Sequence, residues 1–539
     1  MPVRPPAGFR GVFRADDVAR AAYSEAAGIG RSWPVAVAVP VDADDVATLV
    51  RWAGEEHLPL IPRGSGSGMA GGAIGPGVIA DVSTLRYLGT PDVAGRRIRA
   101  ESGVLLGNVA RAAAAVGLRF PVDPSSGEFC TIGGMTSTNA AGPRSLRMGA
   151  MRPWVTALEC VFDDGTRATV RRGAPRPPVA ALNRFMAEVH PRIVAANRAA
   201  FSRAGVLKDS SGYGLAAYAK SQDLVDLLVG SEGTLMVVTA VELALAPAPG
   251  ATRSLLLAFA DLERAVEAAV EARGAGVAAC ELLDRTFLAI ARSAGNPLPV
   301  PDDSEAVLLV ETEAESELEA ETLSRRLKDT LRRFGATAER AASDAQGEAA
   351  LWEFRHAASP ALARMDPRLK SMQFIEDAAL PPGAVAAYVR GVRRILADND
   401  TAVVIFGHAG DAHIHVNPLV DVSDARWRER VDRILENVTA LVAELGGTLS
   451  GEHGDGRLRA PLLALTWNAE VLDLFGRVKR AFDPAGVFNP GAKIALGGQR
   501  AIEDVKYDPA LPALPAAARR ALDVVERDRA YSRLRLDLL

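Results

Sequence analysis

Apolar positions follow two rhythms along the chain. Within residues 42–57, Val46, Leu49, Val50 and Ala53 recur three or four apart, which predicts a helix with one apolar face, capped by Asp42. Short apolar runs at 34–40 (PVAVAVP) and 58–62 predict strands on either side of it, a βαβ-like opening. A further helix is predicted over 15–30, starting near Asp16 and Asp17. From about 78 to 170 the runs shorten. Strands are predicted at 78–82, 98–101 and 155–162, the last running into an Asp163-Asp164-Gly165 turn, with a helix at 105–116. Residues 172–205 read as loops and helix, and 224–245 as helix, glycine turn and strand.

The pattern breaks at Pro247-Ala-Pro-Gly250, where a domain boundary is expected. Beyond it, strands are predicted at 254–259, 305–312 and 402–406. Helices are predicted at 262–273, 316–334, 382–398 and 425–445. This alternation suggests a ferredoxin-like or similar open sheet. The expected organisation is α+β: an N-terminal helical extension (1–33), a first domain (34–249), a second domain (250–480), and a C-terminal segment with a helical tail (481–539).

The 539 residues are too many for one ordinary core. With 48% hydrophobic and 24% charged residues the composition is that of a folded protein, and a net charge of -4 without a basic run argues against nucleic acid as partner. No stretch of about 18 apolar residues predicts a transmembrane helix. Cys130, Cys160 and Cys280 are the only cysteines and are widely spaced, which argues against disulfides, a cysteine zinc site or an iron–sulfur cluster. A cytoplasmic location is expected, with peripheral contact to the inner face of a membrane left open.

Three tight loops combine glycine with hydroxyls. The first, Pro62-Arg-Gly-Ser-Gly-Ser-Gly-Met-Ala-Gly-Gly72, follows a strand. The second spans Pro121-Val-Asp-Pro-Ser-Ser126 and Thr131-Ile-Gly-Gly-Met-Thr-Ser-Thr-Asn-Ala-Ala-Gly142. The third is Gly230-Ser-Glu-Gly-Thr-Leu235. Glycine lets backbone N–H groups approach a phosphate closely. The first loop lacks the lysine of a nucleoside-triphosphate loop and opens no helix, so it fits a dinucleotide-binding Rossmann turn poorly. Three such loops together point to one large polar ligand held mainly by backbone.

Of seven histidines, four crowd into Gly407-His-Ala-Gly-Asp-Ala-His-Ile-His-Val-Asn417 and Ser450-Gly-Glu-His-Gly-Asp-Gly456. Histidine with a carboxylate is a usual ligand set for a catalytic divalent ion. His413 and His415 lie two apart on a predicted strand and must share a face. A buried, hydrogen-bonded polar turn is the plain alternative. Arg355 and Lys370 offer fixed positive charge suited to a carboxylate.

These motifs resemble the FAD-linked oxidases of the vanillyl-alcohol oxidase type, in the branch of D-lactate dehydrogenases, the glycolate oxidase flavin subunit and D-2-hydroxyglutarate dehydrogenase. That branch shows P-R-G-G-G-T-G-x-x-G-G, P-P-D-P-S-S … T-I-G-G-N-x-x-T-N-A-G-G, G-S-E-G-T-L-G, G-H-x-G-D-x-N-x-H-x-N and E-H-G. Here Ser65 and Ser67 replace Gly and Thr, Met135 replaces Asn, Met236 replaces Gly, and His413 replaces Asn. The resemblance runs from about residue 30 to 495. It implies a two-part FAD-binding domain followed by a ferredoxin-like substrate cap domain.

The resemblance also implies roles. FAD would be held by Pro62, Arg63, Gly64, Ser65, Gly66, Ser67, Gly68 and Met69; by Pro124, Ser126, Thr131, Gly133, Gly134, Thr138, Asn139 and Gly142; and by Glu232, Gly233, Val238 and Asn489. Ser67 stands near the histidine that bonds the flavin in covalent relatives, so non-covalent FAD is expected. His408, His415 and Glu452 would ligate a divalent metal, Zn2+ first, with Mn2+ or Fe2+ as alternatives. His453 would be the general base, while Arg355, Lys370 and Asn417 would bind substrate. His413 is left open between extra ligand, supporting partner and a change of substrate preference.

The expected reaction oxidises a small D-2-hydroxy acid (D-lactate, D-2-hydroxyglutarate or glycolate-like) to the 2-oxo acid. A quinone, an electron-transfer flavoprotein, a cytochrome or a separate iron–sulfur subunit would take the electrons. A homodimer is compatible with this reading. The alternatives are an accessory flavin subunit without catalysis and a flavin oxidase of other alcohols.

Overall fold

The βαβ opening forms as its pattern predicts. In this computed structural model, which describes residues 3–293, 300–342, 344–356 and 368–539, Asp42 accepts from the N–H groups of Asp44 and Asp45 and starts the helix Ala43–Glu55. Strands Ala36–Val39, Val78–Asp81 and Leu60–Arg63 run parallel in that order, and Val12–Arg14 adds an antiparallel edge. One face of this sheet packs Ala38, Leu60 and Ala80 against Val46, Leu49 and Val50 of the helix. The other packs Val37, Ile61 and Ile79 against Tyr23 and against Ala518 and Leu522 of the C-terminal helix Ala516–Asp528. Burial on both faces is why these strands read as unbroken apolar runs.

A second sheet, Arg97–Glu101, Val237–Ala244, Val155–Val161 and Arg167–Arg171, is wholly antiparallel. Its core takes in Leu182 and Phe185 and also Phe475, Val478 and Phe482 from the helix Ala469–Phe482. The chain thus returns to the first half late, and the boundary expected at 480 falls inside this returning helix.

The second half builds one eight-stranded sheet. Four of its strands, Ala251–Phe259, Ala279–Asp284, Ala306–Ala314 and Ala336–Ala341, lie in spatial order fourth, first, third, second. Helices Leu262–Gly274 and Glu317–Arg332 connect them. This is the ferredoxin-like βαββαβ pattern. The hairpin Ala402–His408 and His413–Asp421 extends it past Ala279–Asp284, with Leu369–Ser371 and Ala378–Ala379 pairing on the outer strand.

Ion pairs join the halves. Arg144 grips Glu311 through Nε and Nη2, both at 2.7 Å, and Arg119 grips Glu313 at 2.5 and 2.6 Å. Both are bidentate, the geometry that holds orientation best. Among the described residues no helix is long and apolar enough to cross a membrane.

Two local expectations fail. The helix expected over 15–30 is only Asp17–Ala22. Ser24 Oγ turns back to Ala21 O, and Glu25 bridges to Arg31 instead of continuing the helix. Conversely, the glycine-rich stretch after Thr131 is not loop throughout. Thr131 accepts from Gly134 N and caps a helix Ile132–Thr138, which Asn139 ends in the left-handed conformation.

Candidate active site

The first glycine loop leaves strand Leu60–Arg63 and returns to Val78–Asp81 without a helix. A Cβ at Gly64 would stand 2.2 Å from Thr131 Oγ1, and Gly233 (φ +67) lies against the Pro62 ring. Glycine is therefore what lets the three loops close on one another. Together they line a cavity of about 760 Å³, in the upper part of the range of ligand pockets. Its wall carries Pro62 through Ala70, then Pro124, Ser126, Thr131, Gly133, Gly134 and Thr138, then Glu232, Gly233 and Val238. The opposite wall is cap domain: Arg355, Lys370, His415, Asn417, Glu452 and His453.

Strand register builds the histidine cluster. Phe406 pairs with His415 and His408 with His413 across the hairpin, so the three imidazoles point to one side. His413 and His415 ring centres are 4.5 Å apart. Glu452 and His453 arrive on the later loop, whose backbone N–H groups donate to Asp377.

Hydrogen bonds then separate the roles of the histidines. His408 Nδ1 meets Glu281 Oε1 at 2.6 Å, and His415 Nδ1 meets the Glu376 carbonyl at 2.8 Å. Both therefore present Nε2 to Glu452 Oε1, at 3.2 and 3.5 Å. A second-layer acceptor on one imidazole nitrogen with the other lone pair directed inward is how metal-ligating histidines are held. His413 differs. Its Nε2 meets Asp377 at 2.9 Å and its Nδ1 faces Lys208 Nζ at 3.3 Å. Its ring belongs to the same buried donor group, but both nitrogens already have partners. The Lys208 ammonium also sits 2.8 Å from Glu452 Oε2, off the hydrogen-bond direction, and 3.7 Å from Asp411 Oδ2. The donor set His408, His415 and Glu452 thus fits a divalent ion, with Lys208 neutralising the far oxygen.

The electrostatics follow. Burial pushes His413 down to about 3, helped by Lys208 and His415, and it also lowers His415. Burial opposes charge on His408, yet Glu281 outweighs it and raises His408 to about 9. His453 is likewise raised to about 9 against its burial, by Asp377 and by its hydrogen bond to Glu376 at 3.2 Å. Lys208 and His408 hold Glu452 well below the usual carboxylate range despite burial. Buried charge here is paired, as it must be to persist.

A family model described as FAD linked oxidases, C-terminal domain, matches residues 248–492, and one described as FAD binding domain matches 34–171. A protein of Mycobacterium tuberculosis named as an uncharacterised FAD-linked oxidoreductase is 30% identical over 85% of this chain and 90% of its own length. The chain belongs to the FAD-linked oxidases. Among other relatives of this oxidase, the glycolate oxidase subunit GlcD of Bacillus subtilis is 29% identical over 88% of this chain and 91% of its own. The D-lactate dehydrogenase of Archaeoglobus fulgidus is 29% identical over 84% and 90%. A 4-ethylphenol oxidase from Gulosibacter chungangensis superposes with TM-score 0.67 at 16% identity, covering 89% of this chain and 94% of the other, which speaks for the fold alone. That fold is the two-part FAD-binding domain of the vanillyl-alcohol oxidase type.

Three residues expected to touch FAD stand outside the cavity wall of this oxidase. Asn139 spends its Oδ1 on Arg152 N and ends a helix. A Cβ at Gly142 would strike Asp123 O at 2.5 Å. Asn489 donates to Gly72 O and Glu232 O, tying the first and third loops together. All three brace the wall from behind. Arg63 reaches the wall, but its guanidinium turns to the carbonyls of Tyr23, Glu25 and Ala73.

Five residues of the site were not singled out in the sequence: Lys208, Glu281, Glu376, Asp377 and Arg459. Glu376 and Asp377 sit fully enclosed under His453 and His413, with Arg459 paired to both. An acidic pair inside the apolar run Phe374-Ile-Glu-Asp-Ala-Ala-Leu380 was the available signal. Charges are rarely buried without purpose.

Proposed function

We propose that this oxidase converts a small D-2-hydroxy acid to its 2-oxo acid, with His453 as general base and a divalent metal held by His408, His415 and Glu452. One observation carries the reading: His415 and Glu452, the base His453 and two cationic side chains line the cavity that the glycine loops also line, with His408 next to them, 3.2 Å from Glu452 Oε1. When bound, the flavin supplies a two-electron acceptor and the metal supplies Lewis acidity at the hydroxyl.

The chain's own residues do the rest. Arg355 and Lys370 hold the substrate carboxylate, with Asn417 beside them on the same wall. Fixing the carboxylate orients the α-carbon toward the loop side. His453 Nε2, 3.9 Å from Glu452 Oε1, accepts the hydroxyl proton while the α-hydrogen departs with its electron pair. Against burial, Asp377 and Glu376 raise His453 to about 9; the charge of a divalent ion held at Glu452 would act against them and favour the neutral, proton-accepting imidazole. Ser67, rather than histidine, in the first loop supports FAD held without a covalent bond.

A bleaching experiment tests this. Anaerobic addition of D-lactate, glycolate or D-2-hydroxyglutarate to the flavin-loaded chain should abolish the flavin band near about 450 nm for at least one acid. The His453→Gln variant should bind flavin and bleach at least about a hundredfold more slowly. No bleaching by any D-2-hydroxy acid in a screen would overturn the reading. The glycolate oxidase and D-lactate dehydrogenase relatives set the first acids to try. The electron acceptor is proposed to be a quinone, an electron-transfer flavoprotein, a cytochrome or a separate iron–sulfur protein, and the site of action the cytoplasm or its membrane face.

A further inference from the structure

Glu281 sits on strand Ala279–Asp284, next to the strand that ends in His408, and is fully enclosed at 0% exposure. Its two oxygens serve different groups. Oε1 meets His408 Nδ1 at 2.6 Å, and Oε2 accepts from Arg355 Nε at 2.8 Å. The Arg355 guanidinium lies over the Phe406 ring at 5.1 Å. A single carboxylate therefore touches a histidine of the proposed metal site and the arginine of the proposed carboxylate clamp.

Stability alone does not account for this arrangement. A buried ion pair often contributes no more than a well-packed apolar replacement would. Here the apolar neighbours Leu283, Phe287, Leu309 and Val404 already pack one face of the same sheet. What the carboxylate adds is direction. Accepting at Nδ1 leaves the His408 Nε2 for the Glu452 side, and accepting at Arg355 Nε leaves the two terminal nitrogens as the fork that suits a carboxylate.

We propose that Glu281 is a positioning residue that couples the two halves of the substrate site, setting the His408 tautomer and the Arg355 fork through its two oxygens. This rests on the function proposed above. A glutamine at 281 keeps the shape but offers one acceptor and one NH2 group. It can satisfy His408 Nδ1–H or Arg355 Nε–H, but not both in the present geometry. Whichever partner faces the NH2 end is lost, so metal binding or substrate binding should weaken while flavin binding does not.

The test uses the full, flavin-loaded chain, wild type and Glu281→Gln. Zinc and manganese affinity are measured by competition with a chromophoric chelator. KM and kcat are measured with whichever of D-lactate, glycolate or D-2-hydroxyglutarate bleaches the wild-type flavin. Expected for Glu281→Gln are unchanged flavin content and either metal affinity weaker by about ten- to a hundredfold or KM raised by about tenfold or more. An Arg355→Lys control should raise KM and leave metal affinity alone. If Glu281→Gln does not fold, Glu281→Asp, which keeps the charge and withdraws it by one methylene, carries the test with the same readouts. Wild-type chain that takes up neither ion overturns the proposed function and this inference with it. Wild-type chain that binds metal, beside a variant that keeps both its metal affinity and its KM, overturns the role of Glu281 alone.

Discussion

His413 shows how little a residue type says about its job. It lies two positions from His415 on the same strand and belongs to the same buried donor cluster. Yet its nitrogens face Asp377 and Lys208, whereas His408 and His415 each keep Nε2 for Glu452. His413→Ala should therefore retain one metal ion per chain, and His408→Ala should lose it, as read by metal content after dialysis. His413→Ala should also melt earlier, because Asp377 and Lys208 each lose a buried partner, at about 1–3 kcal/mol for a polar group left unsatisfied. Retention of metal by His408→Ala, or its loss from His413→Ala, would reverse the assignment. The histidine motif was legible in the sequence, and its spacing alone required His413 and His415 to share a face. Which lone pair points where was not legible, because the second-layer partners Glu281, Glu376 and Asp377 lie far away along the chain.

At the scale of elements, Asp284 closes a strand and opens the helix Arg285–Ser293, accepting from Phe287 N at 2.8 Å. Burial pushes its carboxyl up to about 7. A carboxyl raised in the folded state favours folding when protonated, and that advantage fades as pH climbs from the unfolded value near about 4 toward 7. Between pH 5 and 8 this group should cost the fold on the order of 2–3 kcal/mol. Asp284→Asn keeps the carbonyl acceptor and cannot ionise. Urea midpoints at pH 5 and pH 8 should then differ less in Asp284→Asn than in wild type, and an equal or larger difference would contradict the argument. Periodicity placed most long helices within two or three residues, Leu262–Gly274 and Trp427–Glu444 among them. The misreadings fell where local hydrogen bonds compete with the apolar rhythm. Ser24 cuts one helix short, and Thr131 starts another inside a glycine-rich stretch that looked like loop.

The whole molecule closes its cavity with chain from both ends. The helix Ala516–Asp528 packs with Asp17–Ala22 on the first sheet. Beyond it Tyr531 packs tilted against Phe129, ring centres 5.2 Å apart, and Arg535 donates to Ser65 O in the first glycine loop. Lys506, Tyr507, Arg529 and Tyr531 all line the cavity, and they follow the stretch matched by the family models. Removing residues 514–539 should therefore loosen FAD. The truncated chain is expected to release flavin on gel filtration and to melt several degrees lower, whereas full retention of flavin would show the tail to be an ornament on the cleft. Arg144 and Arg119 hold the cap through buried Glu311 and Glu313, so the two walls meet in a fixed orientation.

Local chemistry determined a good deal by itself. Glycine and hydroxyl loops, a histidine–carboxylate motif and apolar rhythms are short-range signals, and each carries its physical reason within a few residues. Tertiary structure alone decided which of those residues face the ligand. It placed Asn139, Gly142 and Asn489 behind the wall, and it brought Lys208, Glu281, Glu376 and Asp377 beneath the histidines. A buried charge is stable only beside its partner, and here the partners lie tens to hundreds of residues apart. Only the folded chain, through the register of the sheet and the loops laid against it, brings them within hydrogen-bonding distance.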